Sequence, residues 1–216
     1  MTIEEKRLVE KRAIIEGLKK RLPGCTTYIG IDKSLTSTGI CIIYADGSIL
    51  QDEIGSKGFG VDRIKEICQK VIKHCVSVKN PFVCMEGYAF DRMNRSHELG
   101  ELGGVLKLFL NVKNIPWLEV PPTTLKKFVA KKGNAPKNLM PMWISKRFGF
   151  EPIGGDAADA IGCAFLLKCA DEYVKGHFKG AIYENEAIES FLSLSKKKRK
   201  KSTNKKNKEL AAQIDE

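Results

Sequence analysis

Three short apolar runs near the start of the chain place the strongest constraint on its fold. Residues 27–33, 38–45 and 48–54 are strand-like, and the links between them are too short to hold a helix. The "ADG" at 45–47 is typical of a tight hairpin turn. Strands joined by such short links pair in opposite directions, so the sequence predicts an antiparallel three-stranded meander.

Helices and strands alternate in the middle of the chain. Helical periodicity over 61–78 and 95–112 is followed in each case by an apolar strand, at 80–88 and 115–120. A strand that returns to a sheet after a helix pairs in parallel. The predicted fold is therefore α/β, with a mixed five-stranded sheet of three antiparallel and then two parallel strands, flanked by helices. Further helices are predicted at about 123–131, 137–148, 156–175 and 184–194.

The 216 residues divide into three segments by composition. Residues 1–24 are predicted to form an amphipathic helical extension and 25–194 a globular domain, and 195–216 are predicted to be a basic tail with too few apolar residues to fold. The net charge is +11, and the tail contributes nine basic and three acidic residues, which leaves +5 on the rest. An excess of positive charge favours a polyanionic partner such as nucleic acid.

The sequence also predicts where the protein works. It contains no apolar run of eighteen residues or more, and its start lacks the features of a secretory signal, so no membrane association is expected. Its seven cysteines are odd in number and show no C-x-x-C spacing. This usage is typical of free thiols in a reducing compartment, which predicts a cytoplasmic protein.

Four carboxylates occupy positions where an acidic residue is costly. Asp32 ends the strand "YIGID", and Glu86 ends the strand "FVCME". Asp156 and Asp159, in "GGDAADAIG", share one face at the start of a helix. Each alone is compatible with a structural role, Asp32 starting a turn and Asp156 capping its helix. Together they suggest a cluster, because the first and fourth strands are expected to be neighbours in the sheet.

Such a cluster is stable when cations lie between its members. Oxygen ligands from aspartate and glutamate suit Mg²⁺, with Mn²⁺ as a substitute. A pair of such ions is suited to phosphodiester cleavage, since one activates a water and the other stabilises the leaving oxygen. The carboxylates therefore predict a two-ion site, and no small-molecule cofactor is expected.

The motifs "GIDKSLTSTG", "CMEG" and "GDAADAIGCA" resemble those of the RuvC-type Holliday-junction resolvases, which have a ribonuclease-H-like fold. The similarity spans about 27–170 and includes 126–144, which resembles the basic stretch of the family. It implies a homodimeric, Mg²⁺-dependent endonuclease that cuts four-way DNA junctions, with the four acids as metal ligands and Lys137 supporting catalysis. The segment 99–110 resembles the dimer-forming helix, and the two extensions resemble phage-type members, which act in the host cytoplasm.

Basic and aromatic residues near the acids are the predicted DNA-binding set. Lysines fall close together in the segment after the fifth strand, and Lys126 and Lys137 match the two lysines that the resemblance implies contact DNA or support catalysis. Tyr88 and Phe90 flank the position of a base-stacking aromatic in the family, although packing is an equal alternative. The complete set is Lys126, Lys127, Lys131, Lys132, Lys137, Tyr88, Phe90, Arg92 and Arg95.

Three other functions are open from the sequence. A ribonuclease-H-like RNA-processing nuclease has the same kind of acidic site. "GIDKSLTSTG" also resembles the first phosphate loop of actin-like and sugar-kinase ATPases, although a second glycine-rich phosphate loop is missing from the sequence. A non-catalytic junction-binding protein is the third alternative, and the acids oppose it because carboxylates without metals repel phosphates.

Overall fold

Five strands form one mixed sheet in the computed structural model of this protein, which describes residues 26–88 and 96–192. They are β1 (Thr27–Asp32), β2 (Thr38–Ile43), β3 (Ile49–Ile54), β4 (Pro81–Glu86) and β5 (Trp117–Val120). The spatial order is β3-β2-β1-β4-β5. The first three strands are antiparallel neighbours, whereas β1–β4 and β4–β5 pair in parallel. The predicted sheet is confirmed, including the adjacency of the first and fourth strands.

The helices are α1 (Gly60–Val76), α2 (Ser96–Val112), α3 (Pro122–Ala130), α4 (Met140–Phe148), α5 (Gly155–Lys175) and α6 (182–192). The prediction of one helix over 137–148 is wrong in detail. A 3₁₀ turn at Lys137–Leu139 leads into α4, with Pro136 before the turn and Pro141 in the first turn of α4. Proline fits the first turn of a helix but cannot lie in its interior, which explains the break.

The sheet has a different helical layer on each face. Alternation along β1 sends Ile29 and Ile31 toward α1 and α2, and sends Tyr28 toward the layer formed by α3 to α6. The same alternation in β4 sends Met85 to the α1–α2 side and Cys84 to the α5 side. Strands β1 and β2 are buried along their whole length, and a strand that is buried on both faces has a nearly continuous apolar sequence.

Helix α5 lies directly on the middle of the sheet. A Cβ atom on Gly30 would clash with the backbone carbonyl of Ala160, and one on Gly39 would clash with that of Asp156. These two glycines let the backbone of α5 approach β1 and β2 more closely than any side chain permits. The first two turns of α5, which carry Asp156 and Asp159, are therefore pressed against the strand that ends at Asp32.

Several predictions fall on parts of the chain that the structure does not describe. The extension 1–24 and the tail 195–216 lie outside the described residues, as do Phe90, Arg92 and Arg95. Of the seven cysteines, the six within the described ranges are free thiols, five of them buried. Among residues 26–88 and 96–192, no helix is both long and apolar enough to cross a membrane.

Candidate active site

Three carboxylates from distant parts of the chain meet at one edge of the sheet. Asp32 ends β1, Glu86 ends β4, and Asp159 lies in the second turn of α5. Each offers an oxygen atom, and these three oxygens all lie within 4.8 Å of one another. Parallel strands end at the same edge, and alternation directs Asp32 and Glu86 toward the face that α5 covers. We call these three residues the carboxylate triad.

Burial and the neighbouring charge of Glu86 set the protonation of Asp32 and Asp159. The side chains of Asp32 and Asp159 are only 7% and 4% exposed. Burial, followed by the charge of Glu86, raises the pKa of Asp32 well above its ordinary range. The same two causes, in the same order, raise the pKa of Asp159 to about 6. Asp32 and Asp159 therefore hold their protons to higher pH than an ordinary aspartate does, although the charge of Lys137 lowers the pKa of each.

Lys137 supplies one such positive charge from the 3₁₀ turn before α4. Its Nζ lies 3.1 Å from Asp159 Oδ2, 3.4 Å from Asp32 Oδ2 and 3.4 Å from Asp156 Oδ1. Partial burial lowers the pKa of Lys137, but the charges of Asp32 and Asp159 outweigh burial and raise it above its ordinary value. Lys137 therefore stays charged and acts as an internal cation among the acids.

Asp156, predicted as the fourth ligand, has a more peripheral position. It lies in the first turn of α5 with a side chain that is 27% exposed, and it contacts Lys137. It is outside the group of carboxylates whose oxygens lie within 4.8 Å of one another. The predicted quartet is thus a triad with a fourth acid beside it, linked through Lys137.

The donor set of the triad fits a hard divalent cation. All three residues offer carboxylate oxygens, close enough together to share one ion, and two of them are almost fully buried. Oxygen-only ligands without histidine or cysteine select Mg²⁺ or Mn²⁺ over zinc or copper. The acidic cluster is therefore a candidate metal centre.

Comparisons with known proteins identify the family. No family model matches the sequence. The crossover junction endodeoxyribonuclease RuvC of Carboxydothermus hydrogenoformans is 32% identical over 106 residues, which cover 48% of this chain and 67% of that relative. The chain belongs to the RuvC family. The RuvC of Hydrogenovibrio crunogenus is 26% identical over 162 residues, covering 68% of this chain and 87% of that protein.

Solved structures of RuvC share the fold. The structure of Thermus thermophilus RuvC aligns with a TM-score of 0.54 at 21% identity, covering 71% of this chain and 98% of that chain. T. thermophilus RuvC in complex with a Holliday junction substrate aligns with a TM-score of 0.56 at 18% identity and the same coverage. The resemblance to the RuvC-type resolvases and the predicted ribonuclease-H-like fold are thus confirmed.

Three lysines of the predicted cluster have described partners, which divide between the triad of this RuvC-family chain and helix α6. Of its five members, Lys137 contacts the carboxylates. Lys127 instead forms a 2.6 Å ion pair with Glu186, and the Lys131 ammonium lies 5.7 Å from the ring centre of Tyr183. Both partners lie in α6, a helix outside the segment that carries the resemblance to RuvC proteins. Lys126 is half-buried and Lys132 is exposed.

Tyr88, predicted to stack on DNA bases, has contacts within the protein. Its ring is half-buried, with the ammonium groups of Lys33 and Lys107 at 4.5 and 5.3 Å from the ring centre. Its hydroxyl donates to the carbonyl oxygen of Gly100 in α2, at 3.4 Å. These contacts favour the alternative that Tyr88 packs against α2.

Two polar residues near this RuvC-type site were not predicted from the sequence. Glu53 in β3 accepts a hydrogen bond from the backbone N–H of Ala157 and another from the hydroxyl of Ser37, both at 3.2 Å. It therefore holds the start of α5, where donors lack helical partners. Lys33, directly after Asp32, is buried with 2% of its side chain exposed. Alternation along β1 was the signal for Lys33, because it places residue 33 on the covered α1–α2 face.

Proposed function

We propose that this protein is a crossover junction endodeoxyribonuclease that resolves four-way DNA junctions, and other branched DNA, by hydrolysing phosphodiester bonds with divalent metal ions. The observation that carries the proposal is the carboxylate triad, with its oxygens within 4.8 Å of one another beside Lys137, in a chain of the RuvC family. The matched relatives are named for this activity. The ions we propose are Mg²⁺, replaceable by Mn²⁺, and two in number.

The carboxylates hold the ions and fix where they lie. Asp32, Glu86 and Asp159 are the proposed ligands, and Asp156 is the proposed ligand on the solvent side of the site. Ions bound there supply a water that ionises near neutral pH and a positive charge for the leaving oxygen. Because Asp32 and Glu86 end rigid strands and Asp159 lies on a packed helix, the ligands are held in place before substrate binds.

Lys137 is the proposed catalytic lysine. It lies at the triad yet its side chain is 47% exposed, so it is accessible both to the carboxylates and to a phosphate approaching from solvent. Its raised pKa keeps it charged at any pH where the enzyme works. An ammonium in this position stabilises the negative charge that accumulates on the phosphate during cleavage.

DNA contacts beyond the scissile phosphate are assigned to the basic segment around α3. Lys126, Lys127, Lys131 and Lys132 stay predicted phosphate contacts, and Lys131 and Lys132 are the exposed members of this set. Arg92 and Arg95 are proposed in the same role, and Phe90 as the stacking aromatic. Phosphate contacts of this kind position a duplex and weaken as salt concentration rises.

A homodimer is the proposed assembly, with α2 as the contact. Leu108 and Val112 lie one turn apart on α2 and are 61% and 65% exposed, so together they form an apolar surface that a second copy would cover. Two copies of the site are needed to cut two opposed strands of a junction. We expect Leu108→Glu to yield monomers in sedimentation, whereas Val76→Glu, at an exposed apolar position of α1, should not change the assembly. Monomeric wild-type protein, with and without junction, would refute the dimer.

The central experiment compares substrates and metals. Purified protein is incubated with a labelled four-way junction, a linear duplex or an RNA hairpin, in Mg²⁺ or in EDTA. We expect cutting of the junction in Mg²⁺ only. Asp32→Asn should bind the junction without cutting it, because the fold and the lysines are intact. Preference for the RNA hairpin would favour an RNA-processing nuclease, and junction cutting in EDTA would refute the metal mechanism.

The proposed place of action is the cytoplasm, or the host cytoplasm for a phage-encoded protein. The six described cysteines are free thiols, five of them buried, as is usual for proteins that fold under reducing conditions. Burial raises the pKa of most of these thiols, including that of Cys41 to about 12, so they are not reactive nucleophiles.

A further inference from the structure

Lys33 is a buried lysine next to the triad whose position the proposed chemistry does not explain. It follows Asp32 directly, and its side chain is only 2% exposed. Alternation sends Asp32 toward α5 and Lys33 toward α2, so the two side chains leave β1 on opposite faces. Burying an ammonium costs several kcal/mol unless a partner compensates it.

The partner is Glu119 of β5, which accepts from two lysines at once. Its Oε1 lies 3.1 Å from Lys33 Nζ and 2.8 Å from Lys107 Nζ, and Lys107 belongs to α2. Burial raises the pKa of Glu119, but the two lysines outweigh burial and lower it below its ordinary value. The ring of Tyr88 lies beneath both ammonium groups, at 4.5 and 5.3 Å. We call Lys33, Tyr88, Lys107 and Glu119 the Lys33 ion cluster.

The Lys33 ion cluster joins three strand ends to one helix. Lys33 is one residue after Asp32, and Tyr88 is two residues after Glu86. Glu119 pairs in the sheet with Met85, the residue before Glu86. On α2, a Cβ atom at Gly103 would clash with the Tyr88 hydroxyl, so the helix packs directly on this ring. The backbone next to two of the three triad members is therefore fixed from behind the sheet.

We propose that Lys33 is a positioning residue, which through Glu119 and α2 fixes the strand ends that carry Asp32 and Glu86 and so sets the affinity of the triad for divalent metal. The inference rests on the proposed metal-dependent function. Mg²⁺ requires near-ideal octahedral geometry, so a small shift of a ligand-bearing backbone weakens binding. Supporting groups of this kind typically change metal affinity 10- to 100-fold when removed.

The test compares Lys33→Met with Lys33→Arg. The Met variant removes the charge but leaves Glu119 paired with Lys107, so Glu119 retains a partner. Mn²⁺ binding is measured by calorimetry without DNA, and junction binding is measured in EDTA. We expect Lys33→Met to lose about tenfold in Mn²⁺ affinity, with junction affinity within twofold of wild type, and Lys33→Arg to restore most of the metal affinity.

Lys175→Met is the matched control, because Lys175 also pairs with a buried carboxylate, Asp171 at 2.6 Å, at the far end of α5. It should lower the melting temperature without changing Mn²⁺ affinity. Lys107→Met is a second variant that leaves the Lys33–Glu119 pair intact, and we expect a smaller loss, about threefold, in Mn²⁺ affinity. If Lys33→Met fails to fold, Lys107→Met tests the inference, with Lys175→Met as its control.

Three outcomes decide the inference. A loss of Mn²⁺ affinity in Lys33→Met that Lys33→Arg reverses supports it. A melting temperature lowered as in Lys175→Met with unchanged Mn²⁺ affinity overturns it, as does unchanged affinity in Lys107→Met. If wild-type protein binds Mn²⁺ but cuts no junction, the proposed function fails, while the Mn²⁺ affinities still decide the role of Lys33.

Discussion

The Nζ atom of Lys137 lies 3.1 Å from Oδ2 of Asp159, which places a lysine where a metal ion is expected to bind. The same ammonium lies 3.4 Å from Asp32 and from Asp156. Without metal, Lys137 offsets part of the repulsion among the acids. A metal ion bound at the proposed site would therefore compete with Lys137 for the same carboxylate oxygens, so replacing Lys137 should affect metal binding and catalysis in opposite directions.

The first prediction follows from this competition. Lys137→Met should bind Mn²⁺ more tightly than wild type, since the acids lose their internal cation, and yet cut a junction at least about 100-fold more slowly, since one stabilising charge is missing. Calorimetry and single-turnover cleavage measure the two effects. Lys113→Met, at an exposed position beyond the end of α2, is the control and should change neither. Weaker Mn²⁺ binding by Lys137→Met would show that the lysine supports the metal rather than competes with it.

The sequence predicts that Asp32 and Glu86 meet, because the position of each depends on the sheet alone. Asp32 and Glu86 lie at positions whose side chains point to the same face of the sheet. Because β1 and β4 pair in parallel, both residues also lie at the same edge. Asp159 joins them because the close contacts at Gly30 and Gly39 press α5 onto that face. Side-chain alternation, helix spacing and strand order determine where Asp32, Glu86 and Asp159 lie, and all three can be inferred from a sequence.

Side-chain partners from other elements were not predictable in the same way. The sequence places Lys127 and Lys131 near Lys137, but both contact α6 instead of the triad. Lys127 forms an ion pair with Glu186, and the ammonium of Lys131 lies over the ring of Tyr183. The position of Tyr88 under two lysines depends on how α2 packs, which no local pattern encodes. Spacing alone likewise does not separate Asp156 from Asp159, because the two residues share one face at the start of α5. The packing of α5 on the sheet leaves the Asp156 side chain 27% exposed and the Asp159 side chain 4% exposed.

The second prediction concerns stability and pH in the absence of metal. The pKa of Asp159 rises from its ordinary value of 3.8 to about 6 in the folded protein. Between these values the unfolded chain releases a proton that the folded protein retains, so stability falls as pH rises from about 4 to about 6, by about 3 kcal/mol for this shift. Urea unfolding in EDTA at pH 4, 5, 6 and 7 measures this decrease in the free energy of unfolding.

Two variants isolate the contribution of Asp159 to this pH dependence. Asp159→Asn cannot ionise, so it should show a smaller decline and should exceed wild type in stability above pH 6. Asp156→Asn, at a position 27% exposed, should retain the wild-type decline. Parallel stability curves for wild type and Asp159→Asn would mean that the folded protein ionises this carboxyl as easily as the unfolded chain.

The third prediction is that metal reverses this loss of stability. A ligand that binds only the folded protein raises its stability in proportion to the logarithm of its concentration over its Kd. Since Mn²⁺ needs ionised carboxylates, saturating Mn²⁺ should raise the melting temperature more at pH 7.5 than at pH 5. Asp32→Asn should lose most of this increase, because it removes one of the three carboxylates proposed to bind the ion. An equal increase in Asp32→Asn would place the bound ion somewhere other than the triad.

The last prediction tests whether close contact between α5 and the sheet holds Asp159 in the site. Gly30→Ala places a methyl group against the backbone carbonyl of Ala160, which cannot rotate away as a side chain can. We expect a loss of at least about 2 kcal/mol in the free energy of unfolding, since overpacking against backbone forces the elements apart. Mn²⁺ affinity should fall as well, because α5 carries Asp159 away from Asp32 and Glu86. Gly100→Ala in α2, where an added Cβ meets no atom within 4 Å, is the matched control and should stabilise slightly. Unchanged Mn²⁺ affinity in a folded Gly30→Ala protein would show that the triad tolerates displacement of the helix.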